Sequence, residues 1–404
     1  MKIGWIGLGK LGLPCALVQA QAGHQVIGTD VNQSVKSYLR DRWIPYQESG
    51  VLDAFEKGVQ VGWRDSIVEV VNESEIIFVA VQTPHAPAYE GCSRTPDTTR
   101  DFEYGFLTSA FSAIERCVSS DKTVVIVSTV LPGTCGREIV PIAARNKHLR
   151  LVYSPAFIAM GTTMDDYRNP EMVIVGTDDD LAFENLKSVY APIHDRPLVR
   201  LSIIECEFVK MAYNTFIGMK IVFGNALGEL CEKLGGNSDN VLRALSLATD
   251  RLISAKYMKA GLGDGGGCHP RDQLALSWLA ERTNLSSDIF GWLMRTRDDQ
   301  TAWIASLAID ASETTSLPIC VLGAEYKPNT NLTIGSPSRL LMSFLPEKAN
   351  WADESNLVDP AVYIIGVNHS RYISVQFPTG SYVIDPWGFI PDQDGVIVRR
   401  IGRH

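Results

Sequence analysis

A glycine-rich turn between a short strand and a helix is the feature that most restricts how this chain can fold. Residues 2–6 read as a strand, G-L-G-K-L-G follows at 7–12, and an alanine-rich helix pattern runs to about Gln21. A second strand pattern over 25–29 then ends in Asp30. Strand, turn, helix and strand with an acid at its end form the dinucleotide-binding unit of Rossmann-like sheets.

The same turn predicts the cofactor. Glycines at 7, 9 and 12 permit a tight turn, close approach of the backbone to a pyrophosphate and close packing of the helix. Asp30 should accept hydrogen bonds from ribose hydroxyls and repel a 2′-phosphate, so we expect NAD rather than NADP.

Further strand patterns continue the alternation, near 75–81, 123–127, 151–153 and 172–175, with helices near Ser34–Arg40 and from about Asp101. Polar loops follow three of these strands, and strand ends of such a sheet face one crevice. The expected cofactor-binding residues therefore come from the turn, the second strand and the loops: Gly7, Gly9, Lys10, Leu11, Gly12, Asp30, Thr83, Pro84 and Thr129.

The pattern changes in the second half of the chain. A helical stretch from about Ile203 to Leu234 is long enough to link domains and to present a face to a second subunit. Lys210 and Asn214 lie four residues apart and so project from one side, as an ordinary polar helix face also would. Strand patterns restart at 318–323 and recur at 362–365 and 382–384, the last that we predict, with a helix from Ser336.

We therefore predict an α/β fold with two Rossmann-like doubly wound domains joined by a long central helix. The predicted domains are an NAD-binding domain at 1–200, a central helical domain at 201–312 and a smaller C-terminal Rossmann-like domain at 313–404, to which the family resemblance described below assigns the nucleotide of the substrate.

One cysteine stands in an unusual setting. The loop from Gly261 to Asp272 reads G-L-G-D-G-G-G-C-H-P-R-D, with Pro270 at an early helical position. A thiolate at Cys268 would be favoured by the free N–H groups of the helix start, which lower a thiol pKa and favour a nucleophile. A structural thiol is the alternative. Asp272, four residues on, should share its helix face.

Composition excludes several functions. The formal net charge of -9 argues against a nucleic-acid binder, which needs a basic face. Eight scattered cysteines show no C-x-x-C spacing, and seven histidines form no ligand pair, so we expect reduced thiols, no metal and a cytoplasmic protein. No apolar run has the length to span a bilayer.

Six motifs follow one another along the chain. They are G-L-G-K-L-G at 7–12, Q-T-P at 82–84, S-T-V-L-P-G-T at 128–134, E-F-V-K-M-A-Y-N-T at 207–215, G-G-G-C-H-P-R-D at 265–272 and L-G-A-E-Y-K-P-N-T at 322–330. In these motifs and in their order, the chain resembles the UDP-glucose/GDP-mannose dehydrogenase family over nearly its whole length.

The resemblance implies a reaction and a site. Members of that family oxidise the primary alcohol of a nucleotide sugar to a carboxylate with two NAD, and they dimerise through the central helix. Cys268 would carry a thiohemiacetal and then a thioester, Lys210 and Asn214 would stabilise the oxyanion, Asp272 would assist proton transfer and Thr129 would hold the water. The implied substrate-binding residues are Phe157, Lys210, Asn214, Arg251, Gly265, Gly266 and Lys327.

The sequence departs from the family pattern at several of these positions. The family's N-P-E-F-L-x-E-G reads S-P-A-F-I-A-M-G here, so Ala156 and Met160 replace two glutamates, and neither side chain carries a proton. In the second domain, K-P-x-T-D-D-x-R-x-S-P reads K-P-N-T-N-L-T-I-G-S-P. Leu252 occupies a position where the family has an arginine, and the adjacent Arg251 could take the role of that arginine. Gly267 occupies the position of a family serine, and Arg271 that of a family lysine. The segment between Phe344 and Ala361 is shorter than in the family, and we expect it to lack a strand and a helix.

Three readings stay open. The first is oxidation of a nucleotide sugar to the acid through Cys268. The second, which Ala156 motivates, is a divergent member that stops at the aldehyde or acts on an unusual nucleotide or sugar. The third is a non-catalytic homologue.

Overall fold

We describe the protein from a computed structural model, which covers residues 1–84, 101–254, 260–263, 269–328, 330, 333 and 335–402. The chain divides into two compact units, Met1–Gly218 and Met219–His404. The finer division at 200/201 and 312/313 stays a prediction.

The first unit is built on an eight-stranded sheet in the order β3-β2-β1-β4-β5-β6-β7-β8. Its neighbouring strands are parallel except β6 and β7, which meet in antiparallel sense through one residue pair, Tyr153 and Gly176. The strands are β1 (Lys2–Ile6), β2 (Gln25–Thr29), β3 (Gly62–Trp63), β4 (Ile76–Val79), β5 (Lys122–Ile126), β6 (Leu149–Tyr153), β7 (Val173–Gly176) and β8 (Leu198–Leu201).

Helices cover both faces of this sheet. They are α1 (Gly12–Gln21), α2 (Ser34–Asp41), α3 (Val51–Glu56), α4 (Ile67–Glu73), α5 (Gly105–Cys117), α6 (Val140–Ala143), α7 (Thr163–Arg168) and α8 (Asp180–Tyr190), and a π-helical turn at Cys135–Ile139 precedes α6. The long helix α9 (Ile203–Leu234) follows, over the residues that the sequence predicts.

Side chains that alternate along the strands form a separate core on each face of the sheet. On one face, Trp5 of β1 stacks on Phe78 of β4 with ring centroids 4.8 Å apart. On the other, Ile77 and Val124 pack with Phe111 of α5. A sheet with both faces covered in this way is doubly wound, because parallel strands need crossover helices.

The second unit is also built on a parallel sheet, which has five strands in the order β10-β9-β11-β12-β13. Its strands are β9 (Ile319–Leu322), β10 (Asn350–Ala352), β11 (Val362–Ile365), β12 (Tyr382–Asp385) and β13 (Ile397–Arg400). Its helices are α10 (Ser238–Ser246), α11 (His269–Arg282), α12 (Ile289–Thr315) and α13 (Pro337–Phe344), with a 3-10 turn at Ser370–Ser374. The predicted fold class is thus confirmed.

Two expectations for the second unit are wrong. The last strand is β13 rather than the one at 382–384, and it pairs with β12 from Tyr382 to Asp385. The segment between Phe344 and Ala361 does not lack a strand, because β10 lies there and pairs with β9. Among the described residues between α13 and β11 there is no helix.

Candidate functional site

The glycine turn lies at the point where the strand order of the first sheet reverses. Gly7 has a φ of +96°, and a Cβ on it would lie 2.6 Å from the carbonyl oxygen of Ala80, just after β4. A Cβ on Gly12 would lie 2.0 Å from the Gly7 carbonyl oxygen. Both positions therefore require glycine, and they set the first turn of α1 against the ends of β1 and β4.

Asp30 closes this turn from the end of β2. Its Oδ2 accepts a hydrogen bond from the Leu8 N–H at 2.7 Å, and its Oδ1 accepts one from the Asn32 N–H at 2.8 Å. A Cβ on Gly9 would meet nothing within 4 Å, so that backbone borders open space. Open backbone at the helix start beside an oriented carboxylate fits a dinucleotide whose ribose hydroxyls bond to Asp30. Lys10 is exposed and Leu11 is half-buried.

The loops after β4 and β5 are joined by hydroxyl groups. The Thr83 hydroxyl donates to the Thr129 carbonyl oxygen at 2.8 Å, and the Ser128 hydroxyl donates to the Val81 carbonyl oxygen at 2.6 Å. Pro84 accepts a hydrogen bond from the Glu103 N–H at 2.8 Å. Thr83, Pro84 and Thr129 therefore lie together at the crevice edge, as their strand-end positions predict.

The loop after β6 contains Ala156 and Met160, which replace the two glutamates of the family pattern. We call residues 154–162 the β6 loop. Within it, the Ala156 carbonyl oxygen accepts a hydrogen bond from the Lys210 Nζ at 2.7 Å, and the same Nζ lies 5.0 Å from the centre of the Phe157 ring. Lys210 is 8% exposed, and burial lowers the pKa of its ammonium group. α9 thus brings a desolvated cation to the β6 loop.

Carboxylates hold the β6 loop from outside it. Glu48 is buried and accepts hydrogen bonds from the N–H groups of Gly161 at 2.9 Å and Thr163 at 2.7 Å. Asp166 accepts one from the Ala159 N–H at 2.8 Å and one from the Thr162 hydroxyl at 3.0 Å. These two acids therefore fix the backbone of the loop.

Ala156 and Met160 have no ionisable group to offer, and they face different surroundings. Ala156 lines a small cavity of about 30 Å³ together with Phe157, Tyr190 and the core residues Trp5 and Phe78. Met160 is 62% exposed. Position 156 thus borders the core of the first unit, whereas position 160 borders solvent.

Glu207 anchors the loop after β5. It is fully buried, and its two oxygens accept hydrogen bonds from the Gly133 N–H at 2.6 Å and the Cys135 N–H at 2.7 Å. Sequence reasoning quoted this residue within a motif and gave it no role. The available signal was its position, because a carboxylate one turn before Lys210 shares the buried side of α9.

Glu48, Asp166, Glu171 and Tyr213 were missed as well. The Tyr213 hydroxyl donates to Glu171 Oε2 at 2.9 Å, and its ring meets Phe157 edge-on with centroids 4.8 Å apart. The hydrogen-bond partners of Glu48, Glu171 and Tyr213 lie 42 or more residues away in the sequence, so no local pattern indicates these contacts. Asp166 bonds within seven residues, to Ala159 and Thr162.

The remaining predicted residues belong to the second unit or to α9. Asn214 is exposed on α9, and Arg251 and Lys327 are exposed, with the Lys327 Nζ 5.1 Å from the Tyr326 ring centre. Helix α11 begins at His269, directly after Cys268 in the sequence, and contains Pro270. Cys268, Gly265 and Gly266 lie outside the described residues, as does the side chain of Asp272 on α11. These roles stay predictions.

The described part of the chain has neither a metal-binding cluster nor a membrane-spanning helix. No group of three or more histidine, cysteine, aspartate and glutamate side chains there could hold a metal ion. No helix among the same residues has both the length and the apolar character to cross a membrane.

Comparison with known proteins agrees with this geometry. Residues 1–194 match the model of the UDP-glucose/GDP-mannose dehydrogenase family NAD-binding domain, and residues 205–297 match the model of the family's central domain. The UDP-glucose 6-dehydrogenase of Rhizobium meliloti is 31% identical over 359 residues, which cover 86% of this chain and 79% of that protein. The UDP-glucose 6-dehydrogenase AglM of Haloferax volcanii is 28% identical over 85% of this chain and 80% of its own length.

Solved structures show the same fold. A ternary complex of GDP-mannose dehydrogenase from Pseudomonas aeruginosa superimposes with a TM-score of 0.84 at 23% identity, over 98% of this chain and 99% of that one. A UDP-glucose dehydrogenase from Pyrobaculum islandicum gives a TM-score of 0.56 at 25% identity, over 98% and 96% of the two chains. The chain therefore belongs to the UDP-glucose/GDP-mannose dehydrogenase family of NAD-dependent oxidoreductases.

Proposed function

We propose that the protein oxidises the primary alcohol of a nucleotide sugar toward the uronic acid, with Cys268 as the nucleophile. The observation that carries the proposal is Lys210, an ammonium group that is 8% exposed and bonded to a carbonyl oxygen rather than to a carboxylate. A desolvated cation at the crevice edge stabilises a developing oxyanion strongly, because water does not screen it.

Different residues of the chain would serve different steps of this oxidation. NAD, held by the glycine turn and Asp30, supplies a hydride acceptor when it is bound. Loss of a hydride and a proton from the alcohol gives an aldehyde, and addition of the Cys268 sulfur to its carbonyl carbon gives a thiohemiacetal. Loss of a second hydride and proton gives a thioester, which water cleaves to the carboxylic acid and the free thiol. Lys210 and Asn214 stabilise the oxyanion, Asp272 moves protons and Thr129 holds the water.

Ala156 favours a second candidate, in which the reaction stops at the aldehyde. The carboxylates around the β6 loop already accept hydrogen bonds, with Glu48 and Asp166 on backbone N–H groups and Glu171 on Tyr213. A general base commonly contributes about 10²- to 10⁴-fold, so its loss would slow thioester hydrolysis. Return of the hydride from NADH to the thioester would then regenerate the thiohemiacetal and let the substrate leave Cys268 as the aldehyde.

Product stoichiometry separates the two candidates. A panel of nucleotide sugars is incubated with NAD, NADH is counted by absorbance, and the product mass is recorded. Two NADH and a carboxylate per substrate establish the first candidate, and one NADH and a carbonyl establish the second. If the second holds, Ala156→Glu should move the product toward the acid, since it returns a carboxylate to the position where the family pattern has a glutamate.

A cysteine variant tests the nucleophile. We expect Cys268→Ser to abolish acid formation, because a serine hydroxyl at neutral pH is a far weaker nucleophile than a thiolate. The control is Cys117→Ser, the same change at the end of α5, which should leave turnover as in the wild type. Full acid production by Cys268→Ser would reject the thioester route.

We further propose that the protein is a cytoplasmic homodimer that associates through α9. The six described cysteines are free thiols, as in a reducing compartment. On α9, Ile204 is 49% exposed and Phe208 is 58% exposed, one helical turn apart. Apolar side chains that repeat along one face of a long helix are a typical basis for helix pairing between subunits.

A further inference from the structure

We infer that Tyr213 and Glu171 are positioning residues for Lys210. Their hydrogen bond fastens α9 to the start of β7 and holds the β6 loop between them, which keeps the Ala156 carbonyl oxygen on the Lys210 ammonium group. The inference deepens the proposed function, because it rests on a role for Lys210 in the reaction.

Three residues of α9, spaced three apart, contact three segments at the crevice. We call Glu207, Lys210 and Tyr213 the contact face of α9. Glu207 binds the loop after β5, Lys210 binds the β6 loop, and Tyr213 binds Glu171 just before β7. Successive turns of one helix thus reach successive strand ends, since residues three apart lie on neighbouring turns of one side.

The β6 loop needs such a support because the sheet provides little there. β6 and β7 share a single residue pair, Tyr153 and Gly176, whereas β5 and β6 pair over five residues. The loop leaves the sheet at its most weakly paired seam, so contacts with side chains must fix its position.

Phe157 transmits the support from Tyr213 to Lys210. Its ring meets the Tyr213 ring edge-on at 4.8 Å, and the Lys210 Nζ lies 5.0 Å from its centre. Phe157 follows directly on Ala156, whose carbonyl oxygen is the Lys210 acceptor. A shift of the Phe157 ring would therefore move the acceptor of the lysine.

Charge keeps the contact in place at neutral pH. Burial and the Glu171 carboxylate both raise the pKa of Tyr213, so its hydroxyl stays protonated and remains a donor. Glu171, which accepts that hydrogen bond, is exposed.

The experiment measures the access of Lys210 to an amine-reactive reagent. Purified full-length protein, without substrate, is labelled briefly with acetic anhydride, and modification of Lys210 is quantified by mass spectrometry. Lys187, whose side chain is 61% exposed, serves as the internal reference. In Tyr213→Phe and Glu171→Ala we expect Lys210 labelling to rise about three- to tenfold, the range that loss of a typical intramolecular hydrogen bond produces.

Matched variants separate positioning from general damage. Glu171→Gln keeps an acceptor and should restore most of the protection, and Tyr382→Phe makes the same chemical change on β12 and should alter nothing. In turnover assays, Tyr213→Phe should lower kcat and leave the KM for NAD unchanged, because the glycine turn and Asp30 are untouched. Melting temperatures confirm that each variant is folded.

The labelling experiment tests the positioning role of Tyr213 and Glu171, and the turnover assay tests the role of Lys210 in the reaction. Wild-type labelling of Lys210 in folded Glu171→Ala and Tyr213→Phe overturns the positioning role, whatever turnover shows. Raised labelling with unchanged kcat supports the contact but rejects the proposed role of Lys210 in the reaction.

Discussion

Two charged side chains of the first unit, Asp30 and Lys210, differ in their exposure to solvent and in their hydrogen bonds to the backbone. Asp30 is half-buried, and each of its oxygens accepts one backbone N–H, which orients the carboxylate and leaves further lone pairs for a ligand. Lys210 is almost fully buried and donates to one carbonyl oxygen. The first side chain is therefore oriented for binding, and the second is desolvated in a way that suits catalysis.

Removal of the Asp30 carboxylate should weaken NAD binding. In Asp30→Ala the ribose hydroxyls lose their acceptor, which costs about 1 to 3 kcal/mol. Isothermal titration calorimetry measures the change, with Asp53→Ala as the control because Asp53 lies on the surface of α3 and pairs with Lys57 at 2.9 Å. Equal affinities of wild type and Asp30→Ala would contradict the ribose contact.

Lys210 should also make stability depend on pH. Its folded-state pKa lies below the ordinary value of 10.5, so between those two values the unfolded chain binds more protons than the folded one. The free energy of unfolding of the wild type, relative to Lys210→Met, should therefore rise as the pH increases toward 10.5. Chemical denaturation at a series of alkaline pH values tests this.

The control for that series is Lys187→Met, at an exposed lysine of α8. Its stability difference from the wild type should stay flat over the same pH range. A flat difference for Lys210→Met as well would contradict a lowered pKa of Lys210 in the folded protein.

Secondary-structure elements differ in how far their sequence predicts them. β1, β2 and β11 have the bounds that the sequence predicts, and α9 spans the whole helical stretch predicted from Ile203 to Leu234. We missed β3, β8, β10 and β13, each of two to four residues at or next to a sheet edge. A strand this short carries too few residues for an alternating pattern, and its pairing depends on neighbours that are distant in sequence.

The residues of the candidate site also differ in how far the sequence predicts them. The glycine turn and Asp30 follow from a motif of about thirty residues, because its parts contact each other locally. The contact face of α9 does not, since Lys210 meets a carbonyl 54 residues away and Glu207 meets an N–H 74 residues away. Only the packing of α9 on the strand ends brings these groups together.

The whole molecule should be a dimer in solution, and α9 provides the test. Ile204→Glu with Phe208→Glu places two charges on its exposed apolar face, where burial against a second copy would desolvate them. We expect light scattering to give the wild type twice the monomer mass and the double variant the monomer mass. Leu181→Glu, at a 51% exposed leucine of α8, should remain dimeric.

A dimeric double variant would contradict association through α9. A wild type that is monomeric at micromolar concentration would contradict the homodimer itself. Both outcomes are read from the same experiment, because the mass of each sample is absolute.

The contact face of α9 has a consequence for how this chain can diverge. One residue inserted between Glu207 and Tyr213 would rotate every later side chain by about 100°, and would separate Tyr213 from its acceptor. A substitution in the β6 loop, such as the alanine at 156, leaves that spacing intact. Insertions and deletions in this part of α9 should thus be tolerated far less than point changes in the loops it holds, so that the reaction can diverge while the length of the helix stays fixed.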